Sequence, residues 1–282
     1  MPSPWQVRIE LAGNWQGTSR APYSFLSARN DEDWKSVDVL GTVEEIWRYP
    51  VSSLGGERLM SVELSSQGIA GDRGWGIVDV ESRQTAAPEK EVRWRPALFL
   101  NARMAGDVPE IGFPDGDWLS VFGNSIGVRL SDHFGFEVAA WPYGVPDMEH
   151  GGDEHVATNR YEPSPLHLLT TNALEHLSTL VGTETVESRR FRPNIVLKMH
   201  GPAGFCETDW LGQSLQIGSA LVGVREETKR CGMTLIPQPD LEENANILRS
   251  ILRQNRRNFG VYGSVDSLGT VSIGDGVDLV GA

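Results

Sequence analysis

Two short stretches of this 282-residue chain gather the side chains best suited to chemistry. The first is Arg189-Arg190-Phe191-Arg192-Pro193-Asn194, running into the apolar Ile195-Val196-Leu197. Such a run predicts a strand, so three arginines would stand at its beginning, where planar guanidinium forks can grip a phosphate or a polar ring. The second stretch is Lys229-Arg230-Cys231-Gly232-Met233-Thr234. Cationic neighbours lower a thiol pKa and favour the thiolate, the form that binds metals or attacks. A thiolate alone selects among zinc, copper, iron and molybdenum without naming one. A structural zinc site would need about three further Cys or His ligands at short spacing, and none surround Cys231. Arginines, amides and hydroxyls surround it instead, the groups suited to a large organic ligand that brings its own metal donors and a phosphate.

The elements that position these stretches read mainly as β. Leu215–Ile217 and Ala220–Val224 predict a hairpin that delivers the chain to Cys231, with Val222 and Val224 on one face and Leu221 and Gly223 on the other. Upstream, strands are expected at Ser61–Leu64, Trp75–Val80, Leu98–Met104, Trp118–Val121 and Ile126–Leu130. Turn signals separate them at Gly55-Gly56, Gly68, Gly71, Pro114-Asp115-Gly116 and Gly123-Asn124. That regular spacing predicts antiparallel sheet closing toward a barrel, completed by strands at Gly260–Tyr262, Val271–Ile273 and Val277–Val280. One helix is expected with Asn172 as its cap, Leu174, Leu177 and Val181 on its inner face and Gly182 as its stop. A second is expected from Asp240, with Leu241, Ala245, Leu248 and Leu252 apolar. Its basic tail, Arg249, Arg253, Arg256 and Arg257, suits a helix C-terminus and also offers a face to an acidic redox partner.

The fold class is therefore mainly β, an α+β chain built on a β-barrel with a few helices. A proline- and glycine-rich stretch over 141–165 marks a boundary. It divides the chain into an N-terminal extension, 1–38, expected to be flexible, a β-barrel-like domain, 39–155, and a domain carrying both reactive stretches, 156–282. His150, Asp153, Glu154 and His155 in that boundary loop match no zinc spacing and read as solvated side chains.

Composition narrows the classes of function. Hydrophobic residues make up 39% and charged residues 22%, a globular balance, and the net charge is -13. That charge argues against nucleic acid and against anionic membrane, because both draw affinity from phosphates neutralised by Lys and Arg. No apolar run is long enough to span a bilayer, so a cytoplasmic protein is expected. Two cysteines, Cys206 and Cys231, make no disulfide framework, and Cys206 between Phe205 and Glu207 reads as a small packed hydrophobe.

Arg192-Pro193-Asn194 followed by Arg230-Cys231-x-x-Thr234 resembles the MOSC domain family, named after the C-terminal domain of molybdenum cofactor sulfurase. Within that family it is most similar to the amidoxime-reducing enzymes and their bacterial relatives. Tyr49-Pro50-Val51-Ser52-Ser53, Gly71-Asp72-Arg73, Ser164-Pro165-Leu166-His167-Leu168-Leu169 and Gly269-Thr270-Val271-Ser272-Ile273-Gly274-Asp275 carry the likeness from Val39 to the C-terminus. It implies a MOSC-type barrel preceded by a β-rich MOSC-associated domain. The implied cofactor is molybdenum-molybdopterin, and not pyridoxal phosphate. By the resemblance Cys231 ligates the metal and is the catalytic position, Ser52, Ser53 and Arg73 lie at the phosphate, and Ser164, Arg192, Asn194, Arg230 and Tyr262 surround the pterin. His167 reads from its apolar surroundings as a satisfied, half-buried histidine.

Three positions depart from the family pattern. Ser52 replaces the lysine of Pro-Val-Lys-Ser, Thr234-Leu235-Ile236-Pro237-Gln238 replaces Thr-Thr-x-Asp-Pro, and Glu162 stands where aspartate is common. These bear on cofactor affinity and substrate scope. The implied activity is reduction of small N-hydroxylated compounds. No ferredoxin-like cysteine set follows Ala282, so electrons are expected from a separate protein, ferredoxin-like or a flavoprotein reductase. A cofactor carrier or sulfur-transfer module without turnover is the alternative, and a barrel with a decayed site is a third reading that Ser52 favours.

Overall fold

The computed structural model describes residues 39–144, 155–159 and 164–280. The expected extension 1–38, Glu162 and most of the boundary loop with His150, Asp153 and Glu154 lie outside those residues.

In chain order the strands are β1 (Gly41–Arg48), β2 (Glu57–Leu59), β3 (Ser61–Ser65), β4 (Gly68–Ile69), β5 (Trp75–Asp79), β6 (Asn101–Ala105), β7 (Val108–Gly112) and β8 (Trp118–Ser120). Helix α1 (Ile126–Phe134) precedes β9 (Val138–Pro142) and β10 (Leu166–Thr170). Helix α2 (Thr171–Val181) precedes β11 (Ile195–Met199), β12 (Ser214–Ile217) and β13 (Ala220–Lys229). Helix α3 (Ala245–Asn255) is followed by β14 (Asn258–Ser267), β15 (Gly269–Ser272) and β16 (Gly276–Val280).

Seven strands close a barrel in the order β11-β10-β14-β13-β12-β16-β1, with β1 pairing back onto β11. Closure removes the exposed edges that an open sheet of this size would carry. The ring takes strands from both sides of residue 155, because β1 lies between β16 and β11. Val43 and Ile46 of β1 both point into the core although they differ by three positions, which strict alternation forbids. The register shift between Val43 and Glu45 resolves this: one extra residue at Glu44 resets the parity. The interior is filled by alternate residues such as Leu166, Leu168, Leu197, Val222, Val224 and Val261. The predicted hairpin forms, with Val222 and Val224 on its core face as expected.

A second apolar cluster, with Ile77, Trp94, Leu100, Ile111, Leu130 and Phe134, fills the part of the chain between β5 and β9. A third joins α2 and α3 to the outside of the barrel through Leu177, Ile247, Ile251, Phe191 and Phe259.

Three expected elements are corrected. Ile126–Leu130 belongs to α1, not to a strand; Ile126, Leu130 and Phe134 are buried at a spacing of four and Gly135 ends the helix in the left-handed region. Helix α2 is capped by Thr170, whose Oγ1 accepts the Ala173 N–H at 3.0 Å, while Asn172 turns inward to bond the Gly201 and Pro202 carbonyls. Helix α3 begins after Asn244 and buries Ile247 and Ile251, leaving Leu252 56% exposed. Asp240 is in a left-handed turn instead, so the expected helix start and apolar face were both displaced.

Candidate functional site

The site is built where the end of β1, the turn before β5 and the start of β11 converge. Asp72, whose side chain is 8% exposed, ties the three together. Its Oδ1 accepts the Tyr49 N–H at 2.7 Å, and its Oδ2 accepts from Asn194 Nδ2 at 3.0 Å and from Arg73 Nη1. Asn194 is buried and saturated: its Oδ1 accepts from His167 N–H (3.1 Å) and Arg73 Nη1 (3.2 Å), and its Nδ2 also donates to the Trp47 carbonyl (3.4 Å). An amide using both lone pairs and both hydrogens acts as a strut between segments.

Above this strut two guanidinium groups share one aromatic ring. Arg73 Cζ lies 5.1 Å and Arg192 Cζ 4.3 Å from the Tyr49 centroid, and Arg73 Nη2 donates to the Arg192 carbonyl at 2.8 Å. Ring faces attract cations, so a neutral phenol can hold two like charges side by side. Burial pushes the Tyr49 hydroxyl above its usual range despite both arginines, which keeps it uncharged. Arg73 (φ 50°), Arg192 (φ 55°) and Ser53 (φ 71°) all occupy the left-handed region, a strain of roughly 1 kcal/mol or more per residue that surrounding structure must hold. Arg192 Nη2 is buried with no hydrogen-bond partner among the described residues. Burial pushes Arg192 down to about 10, so it remains a cation at neutral pH.

Arg230 forms an inner layer. It is 8% exposed, and its Nε donates to the Phe259 carbonyl (2.8 Å), its Nη1 to the Phe191 carbonyl (3.1 Å) and its Nη2 to His167. Among the described residues no carboxylate pairs with it. His167 accepts at Nε2 from Arg230, which leaves Nδ1 as the protonated nitrogen facing the Arg192 carbonyl at 3.3 Å. Burial, then the adjacent Arg230, push its pKa well below the ordinary histidine range, so it is neutral. Tyr262 packs edge-on against it, centroids 5.7 Å apart.

Cys231 follows directly and is partly exposed. It begins the single turn Gly232–Leu235, where its carbonyl accepts from Thr234 N–H (3.3 Å) and Oγ1 (3.1 Å). Among the described residues no group of three or more His, Cys, Asp or Glu is placed to hold a metal ion, so Cys231 stands there as a single donor.

The structure thus brings Arg73, Arg192, Asn194, Arg230, Tyr262 and Cys231 into one continuous constellation. Ser52 and Ser53 form the turn beside it: Ser52 N–H bonds the Trp75 carbonyl (2.7 Å) and Arg73 N–H the Tyr49 carbonyl (2.7 Å). Ser164 bonds within its own loop, to the Leu166 carbonyl at 3.3 Å, and among the described residues it makes no hydrogen bond to an arginine. Sequence reasoning gave Asp72 and Tyr49 no role. The sequence signal was present in the adjacency of Asp72 to Arg73, because an arginine presented beside its own carboxylate is a held one.

Two family models match consecutive parts of the chain: the MOSC N-terminal beta barrel domain over residues 40–112 and the MOSC domain over 147–278. The chain is a MOSC-domain protein. Among curated proteins it is similar to mitochondrial amidoxime reducing component 2 of Rattus norvegicus, 24% identical over 298 residues that cover 86% of this chain and 84% of that one. The Bos taurus protein of the same name is 24% identical over 286 residues, covering 84% and 83%. Among solved structures, the YUAD protein of Bacillus subtilis aligns with 85% of this chain and 94% of its own at 10% identity and a TM-score of 0.45. The MOSC match contains Arg192, Asn194, Arg230, Cys231 and Tyr262, whereas Tyr49, Ser52, Ser53, Asp72 and Arg73 lie in the N-terminal match.

Behind the MOSC constellation lies a second buried polar group. Glu207 is 1% exposed; its Oε2 accepts from Thr170 Oγ1 at 3.0 Å, and Cys206 Sγ lies 3.9 Å away. Burial pushes its carboxyl up to about 7. An acid whose folded pKa exceeds its unfolded one stabilises the fold below about 4.5, and that contribution disappears as pH rises through about 7. Glu207→Gln should therefore remove up to roughly 3 kcal/mol of stability difference between pH 4.5 and 8, taking 1.36 kcal/mol per pKa unit. Urea denaturation of both proteins across that range checks it; parallel profiles would contradict it. His167 acts with opposite sign, its depressed pKa removing stability as pH falls below the ordinary histidine range.

Proposed function

We propose that this chain binds molybdenum-molybdopterin and reduces small N-hydroxylated compounds with electrons delivered by a separate protein. The observation that carries this reading is a pair of cationic groups, Arg192 and Arg230, neither of which is in an ion pair among the described residues. Arg192 has a buried, unpartnered Nη2, and Arg230 is buried against carbonyls and a neutral histidine with no carboxylate. A buried charge left without a counter-ion is costly, and a ligand bearing anionic oxygens relieves that cost. The donor set therefore fits a phosphate-bearing organic ligand, and the single partly exposed thiol of Cys231 fits a metal whose other donors that ligand supplies. The MOSC domain and the names of the amidoxime reducing component relatives support the choice of cofactor and reaction.

In this reading each residue has a distinct task. Arg73 and Arg192, both held on the Tyr49 ring, take the phosphate with the Ser52–Ser53 turn. Asp72 and Asn194 fix the two arginines in place. Arg230 and Tyr262 set the inner wall at the pterin, with neutral His167 orienting Arg230 through Nε2. Cys231 gives the thiolate that ligates the metal. When bound, the cofactor supplies the two-electron step, converting R–NH–OH with two electrons and two protons to R–NH2 and water. Ser52 removes one phosphate-binding charge relative to the family pattern, and the Arg73–Arg192 pair carries that load.

Protein produced in a host that makes the cofactor should contain molybdenum and a releasable pterin in equimolar amounts with the chain. Metal analysis together with pterin fluorescence measures this. Well-folded protein from such a host that holds neither would sink the reading.

A further inference from the structure

Helix α3 presents two contrasting faces. Ile247 and Ile251 are buried against the outside of the barrel. On the opposite side Arg249, Leu252 and Arg253 are all exposed, Leu252 at 56%, and Arg256, which ends the helix in the left-handed region, is exposed too. At 100° per residue Arg249, Leu252 and Arg253 fall within one sector of the helix, an apolar side chain flanked by guanidinium groups. Among the described residues none of these arginines is in an ion pair; Arg249 bonds only Asn246 Oδ1, at 2.6 Å. The helix macrodipole accounts for Arg253 in the last turn, but Arg249 lies too far back along the helix for that effect. The acidic residues nearest in sequence, Glu242 and Glu243, precede the opposite end of the helix.

The segments flanking α3 are joined by direct bonds to Arg230 and to the turn that Cys231 begins. The Arg257 carbonyl, two residues past the helix, accepts the Arg230 N–H at 2.8 Å, and Arg257 Nε donates to the Arg230 carbonyl at 2.5 Å. The Asn244 N–H, at the other end of α3, bonds the carbonyl of Leu235 in the turn that Cys231 begins. A molecule seated on α3 would therefore lie one short stretch of hydrogen-bonded backbone from Cys231.

We propose that the outward face of α3 is the docking surface for an acidic, ferredoxin-type electron donor. The assignment rests on the reduction reading above for its purpose, and on charge for its partner. A chain of net charge -13 repels an acidic protein over most of its surface, so a local field of unpaired arginines sets both approach and orientation. Leu252 supplies the apolar centre that such an interface uses, with the arginines as its rim.

The test compares the parent with Arg249→Glu/Arg253→Glu and with Arg249→Lys/Arg253→Lys, none of which alters a residue of the site. Binding of oxidised plant-type ferredoxin is measured by titration calorimetry at about 20 mM and about 0.2 M salt, a range over which screening of surface charge changes strongly. The parent should bind at low salt and weaken at high salt. The glutamate variant should bind at least about tenfold more weakly with little salt dependence, and the lysine variant should stay within about threefold of the parent. In reduction assays the glutamate variant should keep its rate with reduced methyl viologen and lose it with ferredoxin. A parent that does not bind ferredoxin, a glutamate variant that binds equally well, or binding by the parent to phosphatidylserine vesicles and not to ferredoxin would each overturn the proposal. Failure of viologen-driven reduction in every protein would instead count against the enzyme reading, because the calorimetric result does not depend on turnover.

Discussion

Cys231→Ser is expected to abolish reduction of N-hydroxylated substrates while leaving the protein folded. The exchange barely changes volume, but it replaces a soft thiolate by a hard and largely protonated hydroxyl. Losing an outer-shell partner of a metal costs roughly 10–100-fold, so loss of the sole protein donor should exceed about 100-fold with reduced methyl viologen as donor. Stability should change by less than about 1 kcal/mol, as for other partly exposed sites. Pterin should be partly retained, because Arg73, Arg192 and Arg230 do not depend on the thiol for their positions. Cys206→Ser is the control. Burial pushes the Cys206 thiol up to about 12, and its Sγ lies 3.7 Å from Thr170 Oγ1, in a packed and protonated state unsuited to metal ligation. If Cys231→Ser reduces substrate as fast as the parent, the cysteine only packs and the enzyme reading falls with it.

Strands were legible in this sequence wherever alternation alone determines burial. Leu215–Ile217 and Val222–Val224 alternate cleanly, and the hairpin they form follows directly. Ile126–Leu130 misled because five residues with apolar ends satisfy a strand and the first turn of a helix equally well. The helix becomes legible only when Phe134 and Gly135 are included in the window. At α3, Asp240 with Glu243 is a good capping signal, yet Asn244 takes the role, its Oδ1 accepting the Asn246 N–H at 3.0 Å. Closure of the barrel by β1 could not be read locally at all. It depends on a bulge at Glu44 and on pairing with β11 and β16, far later in the chain, and neither has a local signature.

The site was legible as residue types and not as an arrangement. Arg192 and Arg230 were visible as cations near Cys231, but which one faces a ligand is decided by burial. Arg230 bonds two carbonyls and His167 and is internal, whereas Arg192 keeps a nitrogen unpartnered. Arg230 was expected at the pterin and as a cationic neighbour of the thiol, and those acceptors had no signal in the sequence. His167 was expected to be satisfied and half-buried. It is fully buried, and the satisfaction comes from the cationic Arg230, a pairing that holds only while the imidazole is neutral. Asp72 escaped because a polar strut gains its meaning from three distant segments meeting on it; Asn194 was expected at the pterin, and its part in that strut has no sequence signature.

A large structural effect should come from one methyl group at Gly260. This glycine has φ 81°, and a Cβ built on it would lie 2.6 Å from both His167 Nε2 and the Leu168 carbonyl oxygen. It sits in β14 where that strand pairs with β10, through Leu168 opposite Val261. The left-handed conformation alone costs an alanine about 1 kcal/mol, a term that Gly274→Ala isolates, because Gly274 has φ 87° and nothing within 4 Å of its would-be Cβ. At Gly260 the backbone carbonyl cannot rotate aside, so β14 must move away from β10, and overpacking of this kind adds roughly 1–3 kcal/mol. Gly260→Ala should therefore lose roughly 2–4 kcal/mol in urea denaturation, against about 1 kcal/mol for Gly274→Ala. The same displacement pushes His167 Nε2 away from Arg230. Arg230 would then be buried with one fewer acceptor, and pterin content should fall in Gly260→Ala while remaining at the parent level in Gly274→Ala. Equal losses of stability in the two variants would show that φ alone governs Gly260, and that the close approach of β14 to His167 does not hold Arg230 in place.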